Sequence, residues 1–304
     1  MAETETSTLE HKPVLLKEVV EFLQVKPGGV YVDGTVGGGG HAKAILERMG
    51  EKGIYVAIDR DSETLEATRD RLKVFGDRVR FVHGVFSEIP RFLESLEVKE
   101  VDGVLLDLGI SSFQLDRSGR GFSFGKEGPL DMRMDPLDSE LLTAADLVND
   151  LPEQELEEIF KKFGEERFAR RIARAIVSVR RRQPFLKTVE LARLIERTVP
   201  PPFRPPRARI HPATKVFQAL RIAVNGELDH LSRFLGFDFG FLKRGGRVAV
   251  ISFHSLEDRL VKRAFRSRED FRVITKRPVE AEEEERIANP RSRSAKLRIA
   301  EKIK

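Results

Sequence analysis

GVYVDGTVGGGGHAKAILERMGEKGIYVAIDRD, residues Gly29 to Asp61, reads as a strand, a glycine loop, a helix and a second strand in close succession. Val30, Tyr31 and Val32 form a short β-prone run. Gly37 to Ala42 fits the pattern G-x-G-x-x-A and opens a helix predicted over Ala42 to Met49. Ile54 to Ile58 is the next buried strand, and it stops at Asp59. The stretch is one βαβ unit, and a glycine run opening its helix lets the backbone approach a nucleotide-like ligand closely.

An acidic residue about twenty positions beyond such a loop can grip ribose hydroxyls, which assigns that task to Asp59. To this point NAD and S-adenosylmethionine fit equally well. Asp33 tips the choice. A carboxylate at the mouth of the loop repels a pyrophosphate but suits the ammonium and sulfonium charges of S-adenosylmethionine.

Working outward, the same βα alternation continues. Ser62 is expected to cap a helix running to about Phe75, and Val79 to Val82 form a third strand. His83 to Ser87 follow at its C-terminal end, where ligands bind in open α/β sheets, so Phe86 is placed to pack against an adenine ring. Val101 to Leu106 is a continuous apolar fourth strand ending at Asp107-Leu108-Gly109-Ile110-Ser111-Ser112. If the first and fourth strands are neighbours at a topological switch point, Asp33 and Asp107 flank one crevice.

From Phe113 to about Ile210 the alternation stops. Helical patterns are predicted at Thr143 to Asn149, Glu153 to Phe163, Glu165 to Arg182 and Val189 to Val199. In the third of these, Phe168, Ile172, Ala175, Ile176 and Val179 share a face. Arg167, Arg170, Arg171 and Arg174 form another stripe, extended by Arg180 to Arg182. Arg204, Arg207 and Arg209 sit in a stiff proline-rich connector. A solvated helix face explains one such stripe. Two basic elements beside a ligand cleft point instead to a polyanion.

A long helix opening at His211 returns the chain to the sheet. Gly245 to Ser252 supply a fifth strand ending near His254, and Phe271 to Thr275 and Ala295 to Ile299 the last two. The Glu282 to Glu285 run is expected to face water. Arg291 and Arg293, in the turn before the last strand, either meet phosphate or face solvent.

Composition bounds the rest. At 304 residues, 40% of them hydrophobic and 34% charged, the chain suits a globular protein of two domains, single cores ceasing to grow near roughly 250 to 300 residues. No apolar run reaches the ~18 residues of a membrane span, and the N-terminus lacks the features of a signal peptide, so a cytoplasmic location is expected. Cysteine is absent, which excludes disulfides, thiolate nucleophiles and Cys-based zinc. The histidines at 11, 41, 83, 211, 230 and 254 have no metal-ligand spacing, so no metal is expected.

HKPVLL at 11–16, DGTVGGGGH at 33–41, AIDRD at 57–61, LLDLGISSFQLD at 105–116, RGFSF with PLDMRMD at 120–135, HPATKVFQALRIAVN at 211–225, ISFHSLEDR at 251–259 and NPRSRSAKLR at 289–298 together resemble the bacterial RsmH (MraW) family along nearly the whole chain. One departure is Phe113, where the family often has proline, beside Gln114. The resemblance implies a class I methyltransferase: a Rossmann-like α/β fold with a mixed seven-stranded sheet, interrupted by an all-helical domain. The expected division is 11–112, a helical substrate-binding insertion at 113–210, and a second sheet part at 211–304. It further implies methylation of the N4 amino group of a cytidine in the decoding region of 16S ribosomal RNA, with S-adenosylmethionine as cofactor and the RNA or the small subunit as partner. By motif position, Gly39, Gly40, His41, Asp59, Phe86, Asp107 and Gln114 would contact the cofactor, joining Asp33 and Gly37.

An exocyclic amine so methylated needs hydrogen-bond acceptors as its nitrogen becomes tetrahedral. The candidates are Asp107, Ser111, Ser112 and the carbonyls of Leu108 to Ser111, with His254 as a second choice that equally well caps the following helix. Phe113, Phe122 or Phe124 could stack on an extruded base. Three other readings remain open: a methyltransferase acting on DNA or protein, a nicotinamide oxidoreductase, and a non-catalytic RNA-binding scaffold.

Overall fold

The computed structural model describes residues 12–111, 114–115, 118–204 and 210–304. The chain divides into two compact units, Met1–Ser112 with Phe234–Lys304, and Phe113–Arg233.

The first unit is built on one seven-stranded sheet in the order β3-β2-β1-β4-β5-β7-β6, with β1 Val30–Asp33, β2 Ile54–Asp59, β3 Val79–His83, β4 Val101–Asp107, β5 Leu242–Ser252, β6 Phe271–Val273 and β7 Lys296–Lys302. The first five strands are parallel, and β7 runs antiparallel to both β5 and β6. Tyr31, Val56, Val104 and Ile251 are buried, as continuous apolar strands covered on both faces must be. Chain order reverses between β1 and β4, which are hydrogen-bonded neighbours with Asp33 opposite Leu105. Asp33, Asp59 and Asp107 therefore end three parallel strands at one edge of the sheet, around a switch point.

Local chemistry sets the helix ends. Helix Ser62–Leu72 is capped by Asp61, not Ser62: the Asp61 carboxylate accepts from the Glu63 and Thr64 amides at 3.1 and 3.2 Å. The helix also stops at Leu72 and continues to Arg78 only as a tighter 3-10 turn.

The second unit contains helices Ala144–Asp150, Glu153–Gly164, Ala169–Arg180, Thr188–Thr198 and Ala213–Asn225. It ends at Arg233, not at Ile210. Ala213–Asn225 packs against Glu153–Gly164, burying Val216, Phe217 and Leu220, so this apolar face belongs to the helical unit. The predicted Glu165 to Arg182 helix is shorter because Glu165, at φ +46°, closes the preceding helix, and Glu166 accepts from the Phe168 amide at 2.8 Å. Its buried face is Ala169, Ile172, Ala173 and Ile176, whereas Val179 is exposed. Among the described residues no helix is long and apolar enough to cross a membrane.

Candidate active site

Asp33 is 1% exposed, and both its oxygens are engaged: Tyr55 donates its hydroxyl to one at 2.8 Å and the Thr35 amide donates to the other at 3.0 Å. Burial pushes its pKa up to about 6, against the pull of the Thr35 N–H and the His41 ring. Asp59 also works within the fold. It accepts from the Gly37 amide at 2.8 Å and from the Asp61 amide at 2.9 Å, so it holds the start of the glycine loop, and burial raises it to about 6. A carboxylate has roughly four lone-pair sites, which leaves some for ribose hydroxyls.

The loop is fixed from three further sides. Thr68 donates its hydroxyl to the Gly37 carbonyl and Arg71 donates to that of Gly38 at 3.1 Å, drawing both oxygens toward helix Ser62–Leu72. Gly39 caps helix Gly40–Met49 at φ +77°, where a side chain is strained. A Cβ on Gly40 would lie 2.9 Å from Pro13, so this glycine makes room for the N-terminal segment.

That segment is strapped down at each step. Lys12 accepts from Asn289 at 3.0 Å, the carbonyl of Val14 lies 2.8 Å from His41 Nε2, and the Leu15 amide donates to Glu285 at 2.9 Å with Leu15 itself at φ +53°. Glu285 thus does not simply face water; its carboxylate serves the strap from helix Glu283–Ala288. Asn289→Ala should therefore loosen Pro13 from Gly40. We expect a several-fold weaker Kd for S-adenosylmethionine by calorimetry and a Tm lower by roughly 2–4 °C, the effect of about 1 kcal/mol in a domain of this size.

His41 connects the strap to Asp107. Its Nδ1 lies 3.6 Å from Asp107 Oδ2, and burial holds its pKa below the ordinary value, so the neutral ring with Nε2–H toward Val14 is favoured. Thr35 joins the two acidic positions: its hydroxyl accepts from the Asp107 amide at 2.6 Å and lies 3.5 Å from Asp33 Oδ1. Asp33 and Asp107 accordingly share one polar cluster with His41, close enough for Asp33 to feel the charge of Asp107.

Asp107 is the least satisfied member. A quarter of its side chain reaches solvent, yet Oδ1 is buried with no hydrogen-bond partner among the described residues. Burial first, and the negative charge of Glu257 second, push its pKa up to about 7, while Arg291 pulls it down. Arg291 thus acts on the candidate site itself.

His254 is the N-cap of helix Ser255–Ser267. Its Nδ1 accepts from the Glu257 amide at 3.4 Å, and Glu257 accepts in return from the amides of Phe253 and His254 at 2.8 and 3.3 Å. The geometry supplies the capping role. Phe86 begins a 3-10 turn separated from β3 by two residues and meets the Phe234 ring edge-on at 6.0 Å, half-buried. Ser111 is half-buried, its Cβ within 3.9 Å of where a Gly37 Cβ would stand. Gln114 belongs to the helical unit, where it is buried and its amide lies 3.4 Å from the Met134 carbonyl. Phe122 is buried, and Phe124 already stacks on His211 at 4.7 Å. Ser112, Phe113 and Arg207 lie outside the described residues.

The arginines divide. Arg170, Arg171 and Arg174 are exposed along helix Ala169–Arg180, Arg174 with a loose 3.5 Å contact to Glu153. Arg167 precedes that helix and lies over two phenylalanine rings. Arg180 and Arg204 close helix ends instead: Arg180 donates to the Val148 carbonyl at 2.7 Å, Arg204 to Val199 and Arg197 at 2.5 and 2.6 Å. Arg293 is exposed and donates to the Arg286 carbonyl at 3.2 Å.

Sequence reasoning missed Thr35, Tyr55, Thr68 and Arg71. Only Thr35, inside the DGTVGGGG stretch, carried a signal, since Asx-type turns after a strand recruit the next hydroxyl.

A parallel sheet with an antiparallel β7, a glycine loop after β1 and carboxylates at the switch point define a class I, Rossmann-like methyltransferase. The chain belongs to the MraW methylase family, whose sequence pattern it matches over residues 8–303. It is 50% identical over 312 residues to the ribosomal RNA small subunit methyltransferase H of Syntrophotalea carbinolica, covering 97% of this chain and 98% of that one. It is 51% identical to the protein of the same name from Geobacter sulfurreducens, covering 97% and 100%. Among solved structures it resembles NSun6 from Pyrococcus horikoshii at 13% identity and a TM-score of 0.48, over 100% of this chain and 57% of that one.

Proposed function

We propose that this protein transfers a methyl group from S-adenosylmethionine to the N4 amino group of a cytidine in the decoding region of 16S ribosomal RNA, in the cytoplasm. The names of its relatives support the small-subunit RNA as substrate. The observation that carries the site is the buried, unpartnered Oδ1 of Asp107 beside His41, at the end of a central strand. A buried acceptor left without a partner costs roughly 1–3 kcal/mol, so it marks a place where a bound group completes the structure.

The donor supplies a methyl group on a cationic sulfur. Asp33 and Asp107 provide negative charge for its ammonium and sulfonium, Asp59 lone pairs for its ribose, and Phe86 an apolar face for its adenine. The backbone of Gly37, Gly39 and Gly40 lines its approach. Orienting the amine against the methyl–sulfur bond can lower the barrier by roughly 7–11 kcal/mol. Ser111, Ser112, Asp107 and the neighbouring carbonyls accept hydrogen bonds from the amine hydrogens. The proton becomes acidic once the methyl has moved, so a strong base is unnecessary. Arg170, Arg171 and Arg174 attract the RNA backbone.

Transfer of tritium from labelled donor to small ribosomal subunits, DNA and protein tests the substrate. We expect label only in the subunit RNA, released by nuclease digestion as N4-methylcytidine. Label in DNA or protein, or at another atom of the nucleoside, contradicts the reading.

A further inference from the structure

Phe203 is 39% exposed in a unit that has an apolar core of its own to bury it in. It ends the 3-10 turn Pro201–Phe203, entered through Pro200 and closed by its own amide donating to the Pro200 carbonyl at 2.9 Å. Three successive prolines fix their φ angles, and Arg204 anchors the next residue through the two carbonyls it holds. The ring is thus presented on a stiff support.

Arg167 stacks against it. The guanidinium carbon lies 4.4 Å from the centre of the Phe203 ring and 4.8 Å from that of Phe168, and the two rings are 5.2 Å apart at 58°. Phe168 is itself fixed by the Glu166 carboxylate on its amide and begins helix Ala169–Arg180, which presents Arg170, Arg171 and Arg174 to solvent. Planar aromatic and guanidinium surfaces, held rigid beside exposed positive charge, match a nucleobase on a phosphate backbone. An acidic peptide would use the charge but gain little from the planes.

We propose that Phe203 and Arg167 form a stacking platform for one unpaired base of single-stranded RNA, while Arg170, Arg171 and Arg174 hold the adjoining phosphates. This rests on the RNA reading above and adds a base-contacting site to it. Arg167 then acts through its plane more than its charge.

The test is fluorescence anisotropy with a labelled ten-nucleotide oligoadenylate and a strand of equal length and charge lacking bases. Wild-type protein should prefer the oligoadenylate by about 5- to 160-fold, the range that stacking of one base gives. Phe203→Ala should remove that preference by weakening only the base-bearing strand, and Phe203→Tyr should restore it. Equal weakening on both strands by Phe203→Ala, or a wild-type protein indifferent to the bases, overturns the platform and leaves the RNA reading standing. Failure of wild-type protein to bind either strand at 50 mM salt overturns both.

Discussion

Asp107→Ala is expected to lower methyl transfer by roughly 10²- to 10³-fold, the scale seen when one electrostatic contact to the reacting centre is lost. The chain should fold as before, because burial disfavours the charged carboxylate and its Oδ1 has no hydrogen-bond partner among the described residues. Asp107→Asn separates charge from shape. The pKa of Asp107 rises in the folded state from 3.8 to about 7, so protonation favours the fold. Its contribution to stability is complete below pH 3.8 and is lost as pH climbs through 7. The Tm difference between Asp107→Asn and wild type should therefore grow in favour of the variant between pH 5 and 8. Donor binding runs the other way: a cation prefers ionised Asp107, so wild-type affinity for S-adenosylmethionine should strengthen from pH 6 to 8. That of Asp107→Asn should change far less, following only Asp33, whose pKa is about 6. Parallel pH profiles in the two proteins would remove Asp107 from the donor site.

Arg170→Ala combined with Arg174→Ala carries the second-largest effect. Each phosphate contact contributes about 0.7 to the slope of log K against log salt for single strands and 0.9 for duplex. The double variant should lose about 1.4 to 1.8 from that slope and roughly tenfold in RNA affinity at 50 mM salt, with donor affinity unchanged. The 3.5 Å Arg174–Glu153 contact is exposed and contributes little, so folding should be unaffected. An unchanged slope would make the stripe a solvated helix face.

The central sheet was legible because parallel strands buried on both faces leave continuous apolar runs. Val30–Asp33, Ile54–Asp59 and Val101–Asp107 each end in the carboxylate that marks the strand's mouth. Partners were harder to read. The amphipathic pattern of Ala213–Asn225 reveals a buried face but not what covers it, and the cover is Glu153–Gly164 within the helical unit. Charge alone likewise did not separate exposed Arg170 from Arg180 and Arg204, whose guanidiniums close helix ends. Asp59 reads as a ligand grip from its spacing, but its hold on the Gly37 amide appears only once the chain is folded. Thr68 and Arg71 reach the glycine loop from 31 and 33 residues away, a distance no local pattern encodes.

Isothermal titration calorimetry of S-adenosylmethionine at pH 8 into wild-type protein and into the double variant Asp33→Asn with Asp107→Asn tests the donor site most directly. One donor per wild-type chain, with binding abolished or weakened at least tenfold in the variant, is the predicted result. No uptake by wild type, or equal affinity in both proteins, would contradict it.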